Sequence, residues 1–215
     1  MSTLLYITVN SKPEHLSTSK TVGRVFIDKY KECHPDDTIE ELDLYETDIP
    51  LMNYKLFSSR AALVCGEDLD ALSEEDQQLV HKASDLCDQF IKADKYVIAA
   101  PMWSVFFPSM LKQYLDCIIL DGKVINIDPA HDKVEGLLDN KKRKMLYIQS
   151  SGANVPIVLA TKMNHGVHYL KDIFKFLGVR KFDRLLVEGV NDHKIGKEEA
   201  IKRAIVDMGD ILPYF

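Results

Sequence analysis

"YVIAAPMWSVFFPS", residues 96–109, sets an unbroken apolar run directly before a loop that holds the chain's single Trp and two adjacent Phe between two prolines. A short continuous apolar run bounded by turn signals is the pattern of a strand buried on both faces, as in a parallel sheet. Working outward, "LLYITV" (Leu4–Val9) and "KMLYIQS" (Lys144–Ser150) repeat the pattern, while "TIEELDL" (Thr38–Leu44) and "RLLVEGV" (Arg184–Val190) read as two further strands. Helical spacing fills the intervals. Val22, Val25, Phe26, Tyr30 and Cys33 form one apolar face, and Leu79, Val80, Ala83, Leu86, Phe90 and Ile91 form another behind a Ser73 cap. A third helix begins with Leu111, Tyr114, Leu115 and Ile118; "HYLKDIFKFLG" is a fourth, closed by Gly178, and "KEEAIKRAIVDMGDIL" a fifth.

Strands alternating with helices imply an α/β fold whose parallel sheet is covered on both faces. Five strands suit the flavodoxin-like order 2-1-3-4-5, with ligands in the crevice beyond the strands' carboxyl ends. We expect one domain over residues 1–215, with an irregular and partly helical insertion after Leu44.

The formal charge of −6, with 46% hydrophobic residues, suits a soluble chain with a full core. It argues against nucleic acid, which requires a basic surface. "NKKRK" (Asn140–Lys144) reads as a solvated loop leading into a strand. The N-terminus lacks the basic region of a signal peptide, and no apolar stretch is long enough to span a membrane. Cys33, Cys65, Cys87 and Cys117 are widely spaced without a CxxC pair, and read as reduced, packed thiols of a cytoplasmic protein. His165-x-x-His168 lacks a completing carboxylate, and His131 beside Asp128 and Asp132 is equally loose, so no metal is expected.

The crevice rule singles out three loops. After the first strand, Ser17, Thr18 and Ser19 stand where a helix begins, and the free N–H groups and positive dipole end there suit an anion; Asn10 or Ser11 adds a polar contact. A plain N-cap by Ser17 would account for one of the hydroxyls. After the third strand comes the aromatic wall "PMWSVFFP", whose backbone amides suit the edge of a flavin ring; core or dimer packing of Trp103, Phe106 and Phe107 is the alternative. After the fourth, "QSSGAN" (Gln149–Asn154) carries small residues that permit close backbone approach. A phosphate site, a flat wall and a small-residue edge together fit one flavin mononucleotide, FMN. GxGxxG, P-loop and GxSxG signatures are missing.

"VIAAPMWSVFFPSMLKQYLD" resembles the "APMYNF…LK.Y.D" segment of the FMN-dependent NADH azoreductases, a family of flavodoxin-like NAD(P)H:quinone oxidoreductases. "LSEEDQQ", "EGLLDNKK" and "FLG" fall in the same order as in that family, so the resemblance runs from Leu4 to about Gly189. It implies the FMN phosphate at Ser17, Thr18 and Ser19 with a contact from Asn10. It implies the ring against Pro101, Met102, Trp103, Ser104 and Val105, with its far edge at Ser150, Ser151, Gly152 and Ala153. Two departures stand out. Ser104 replaces a frequent Asn, which shortens one amide contact or routes it through water. Ser151-Gly152-Ala153 replaces a frequent Arg-Gly-Gly, which removes a charge near the substrate pocket.

The resemblance further implies an enzyme in which NADH or NADPH reduces the flavin and a quinone or azo compound then takes the same face, a ping-pong sequence. No protein residue is expected as catalytic acid, since the flavin carries the chemistry, and a homodimer is implied. Two other readings stay open: a flavodoxin-like FMN electron carrier that acts with protein partners, and a flavin-free α/β interaction module.

Overall fold

The computed structural model describes residues 1–153 and 163–215. Among them, strands β1 (Thr3–Thr8), β2 (Thr38–Asp43), β5 (Lys95–Pro101), β8 (Lys144–Ser150) and β9 (Lys181–Val187) form one sheet. Its spatial order is β2-β1-β5-β8-β9, and every neighbouring pair is parallel. Counted along this sheet alone, that is the expected 2-1-3-4-5 order. Two antiparallel hairpins stand apart from it, β3 (Phe57–Ser59) with β4 (Ala62–Leu63), and β6 (Ile125–Asp128) with β7 (Lys133–Gly136).

Alternation along the strands divides the core. Leu5, Ile7, Tyr96, Ile98, Met145 and Tyr147 point to one face, where α3 (Glu74–Lys92), α4 (Ser109–Ile118) and α5 (His165–Leu177) supply Phe90, Leu111, Leu115, Leu170 and Phe174. Leu4, Tyr6, Val97, Ala99, Leu146 and Ile148 point to the other, under α1 (Thr18–Cys33) and α6 (Gly196–Asp207). Each such fully buried aliphatic side chain contributes roughly 1.5–3 kcal/mol, against which chain entropy acts. The Ser73 hydroxyl caps α3 by accepting from the Asp76 N–H, and Gly178 closes α5 at φ 105°, a left-handed value that favours glycine.

Four local readings are corrected. The last sheet strand starts at Lys181 and ends at Val187, because Gly189, at φ 77°, turns the chain away. Ile125–Ile127, which the resemblance implies as an apolar dimer contact outside any strand, lies in strand β6, where pairing with β7 satisfies its backbone. The segment after Leu44 holds a hairpin and the one-turn helix α2 (Glu67–Asp70), packed through Leu56, Val64 and Val80. Cys33 and Cys65 are exposed, whereas Cys87 and Cys117 are packed as expected.

"NKKRK" also hides an anchor. Arg143 is 1% exposed, and its guanidinium donates to the carbonyls of Ile91 and Ala93 at the end of α3, to Leu138 O and to Asn140 Oδ1. The last carbonyls of a helix have no partner within it, and a planar fork of donors satisfies several at once.

Candidate functional site

In a parallel sheet all strands end on the same side, so the loops after β1, β5 and β8 leave one edge. Registers fix their neighbourhood: the Val9 N–H donates to Ala99 O at 2.9 Å, and Pro101 lies opposite Ser150. Strands β1 and β8 flank β5, and the chain order reverses between β1 and β5, the switch point where such sheets open a crevice.

The first loop is built around Ser17. Its hydroxyl accepts from the Lys20 N–H at 3.3 Å and from Asn10 Nδ2 at 2.9 Å, and lies 3.3 Å from the Ser19 hydroxyl. Asn10 is engaged at both ends, since its Oδ1 accepts from the Lys12 N–H at 3.0 Å; it positions Ser17 from within the loop. The N–H groups of Thr18 and Ser19 and the Thr18 hydroxyl have no partner among the described residues. Ser17, Thr18 and Ser19 are all buried. Free donors at the start of a sixteen-residue helix make an anion seat. The neighbouring positive charge is already matched, with Lys20 Nζ 2.6 Å from Asp43 and Arg24 forked onto Glu41 at 2.6 and 2.7 Å. A cleft of about 410 Å³ on the β2 side carries Glu14, Glu41, Asp43 and Glu46 beside Lys12, Lys20 and Arg24, so an anion finds little net attraction there.

The second loop is a two-residue reversal. Trp103 and Phe106 exchange both backbone hydrogen bonds at 2.9 Å, with Ser104 at φ 49° and Val105 at φ 59° between them. Two consecutive positive φ values match the backbone sense of a type I′ turn, which favours Asn and Gly. A β-branched Val in that region stores roughly 1–3 kcal/mol of strain and persists only where its surroundings hold it. The N–H groups of Ser104 and Val105 are free of partners among the described residues, while the Met102 N–H is held by Ser150 O at 2.7 Å. Trp103 is 47% exposed, whereas Phe107 is buried and packs with Phe106 and Tyr169. The aromatic stretch is therefore partly wall and partly core.

The third loop is tied down from below. Ser151 N–H donates to Val187 O, and the Gly189, Val190 and Asn191 N–H groups donate to Ala153 O, Ser151 O and Gly152 O. The Ser151 hydroxyl bonds Ala153 O at 3.0 Å. Burial lifts the Glu188 carboxyl above its usual range against the pull of the Arg184 charge. Asn154 lies outside the described residues. The support from residues 189–191 escaped the sequence reading, although "EGVN" stands beyond the fifth strand's carboxyl end, where the crevice rule also applies.

The three loops offer what FMN requires: orphan buried donors for a phosphate, and a turn with free amides beside an exposed indole for the ring. Among the described residues no three His, Cys, Asp or Glu side chains gather to hold a metal, and no helix is long and apolar enough to cross a membrane.

A family model described as flavodoxin-like fold matches residues 2–212. An FMN-dependent NADH:quinone oxidoreductase of Clostridium botulinum (strain Alaska E43 / Type E3) is 50% identical over 212 residues, 99% of this chain and 98% of its own. The FMN-dependent NADH:quinone oxidoreductase 1 of Clostridium acetobutylicum is 45% identical, covering 99% and 95%. Among solved structures, an FMN-dependent NADH-azoreductase from Bacillus anthracis in complex with FMN is similar with a TM-score of 0.83 at 25% identity, over 98% of both chains.

Proposed function

The chain belongs to the flavodoxin-like family of FMN-dependent NADH:quinone oxidoreductases, and from that premise we propose that it reduces quinones and azo compounds with NADH or NADPH through bound FMN. The observation that carries this reading is the convergence of unpartnered donors, at Thr18, Ser19, Ser104 and Val105, on one edge of the sheet around its switch point. When bound, held by the start of α1 and the Trp103–Phe106 turn, FMN would supply two-electron redox chemistry between the nicotinamide and the acceptor.

The chain's own residues do the rest. The start of α1, with the Ser17, Thr18 and Ser19 hydroxyls, holds the phosphate. Pro101 and Met102 carry the chain to the turn, where the free Ser104 and Val105 N–H groups meet the ring edge and Trp103 covers it. Ser150, Ser151, Gly152 and Ala153 bound the far edge. Donors fixed in place before reaction stabilise charge that develops on the ring without reorganising.

We also propose a homodimer, supported by exposed Leu51 in a groove of about 610 Å³ that Met52, Phe57, Ala61 and Ile119 line together with Ser109, Lys112, Gln113 and Asp116. A cytoplasmic location is part of the same proposal and accords with four free cysteines. Steady-state rates with NADH and a soluble quinone, at several fixed concentrations of each, test the enzyme reading. Parallel double-reciprocal lines are expected. NADH oxidation that requires an added protein would favour the electron carrier and overturn the enzyme.

A further inference from the structure

The strained Ser104–Val105 turn needs a restraint, and the start of α5 contacts it. The His165 N–H donates to Val105 O at 3.1 Å. One residue on, Gly166 is buried, and a Cβ built there would stand 3.3 Å from the Phe106 carbonyl carbon, 3.3 Å from Phe107 Cδ1 and 3.4 Å from Phe107 N. That spacing is tight, and the nearest groups are mostly main chain, which yields only by moving the turn itself. Asn164, 4% exposed, fixes the helix start by accepting the Val167 N–H at 3.2 Å. Gly166 has no positive φ to explain it, and glycine within a helix is about 1 kcal/mol poorer than alanine. Its use here fits close approach.

We infer that His165 and Gly166 are positioning residues, clamping the Trp103–Phe106 turn so that its free N–H groups stay aimed at the flavin ring. This role rests on the flavin reading above. Two variants probe it by separate routes. Gly166→Ala inserts a methyl between α5 and the turn. His165→Pro deletes the one N–H that holds Val105 O, at the first helical position, where proline is tolerated.

Trp103 is the only Trp in the chain, so its emission in flavin-free protein reports the turn directly. The experiment reads three quantities for wild type and both variants: that emission, the thermal midpoint without flavin, and the FMN dissociation constant. The clamp predicts a shifted emission, a midpoint that is not lowered in Gly166→Ala, and FMN bound at least about fivefold more weakly in both variants, the worth of one hydrogen bond. Gly209→Ala, whose new methyl meets open space, should change neither emission nor affinity. Unchanged emission with FMN affinity within twofold of wild type would overturn the role. So would a loss of affinity that merely tracks a fall in the flavin-free midpoint of both variants. Wild-type protein that binds no FMN would instead overturn the flavin reading, and this role with it.

Discussion

At the scale of single residues, Ser17 does two jobs with one oxygen. It caps α1 and accepts from Asn10, so its loss removes a cap and leaves the buried Asn10 amide without that partner. Ser17→Ala should lower stability by roughly 1–2 kcal/mol in urea unfolding and weaken FMN retention on gel filtration. Undiminished retention would detach Ser17 from the phosphate. The cysteines divide as sharply. Burial pushes the Cys87 and Cys117 thiols up to about 12, and only a thiolate attacks. A chromogenic thiol reagent at pH 8 should therefore modify the exposed Cys33 and Cys65 quickly, and Cys87 and Cys117 only after unfolding. Rapid reaction of a third thiol in native protein would contradict this packing.

At the scale of elements, Arg143 joins the end of α3 to the entry of β8. Arg143→Ala would strand the carbonyls of Ile91 and Leu138 and leave Ala93 O only the long bond from the Tyr96 hydroxyl, and should cost roughly 2–4 kcal/mol in urea unfolding. A change below about 0.5 kcal/mol, the usual size for a surface residue, would contradict the anchor. Periodicity could not reveal it. "NKKRK" looks like any solvated basic loop, and only tertiary structure brings the carbonyls at the end of α3 to two of its five side chains, Lys141 and Arg143. Strands β1, β5 and β8 were legible because an apolar run such as Tyr96–Ala100 suits burial on both faces. The β6–β7 hairpin was not, since Ile125–Asp128 is short and of mixed polarity. At the site, the hydroxyls of residues 17–19 and the Trp103 loop could be picked out because they stand just beyond buried strands. The positive φ of Val105 and its tie to α5 could not, because neither leaves a trace in residue type.

Over the whole molecule, the sheet's two edges differ in charge chemistry. Opposite the candidate site, Asp37 and Asp94 tie the N-terminal ends of the strands together. Burial alone would raise the Asp37 carboxyl, but bonds from the Tyr30 hydroxyl and the Ser2 N–H, with the Lys95 charge, outweigh it and hold it low. Asp94 is likewise held low, where the Thr3 N–H and Lys141 outweigh burial. A folded pKa below the unfolded one contributes stability that is full above the unfolded value, near 4, and is lost as pH falls through the folded value. Unfolding free energy should thus be steady near neutrality and fall below about pH 4, and Asp37→Asn should flatten that fall. An acid limb with the same slope in wild type and Asp37→Asn would remove Asp37 from the account.

We propose that one edge of the sheet holds FMN with its phosphate at the start of α1. Calorimetric titration of flavin-free protein with FMN and, separately, with riboflavin tests it most directly, because the two ligands differ only in the phosphate. Several charge-assisted bonds at about 1.5–3 kcal/mol each predict FMN binding at least about a hundredfold tighter. Equal affinity for the two, or no heat from either, would contradict the account.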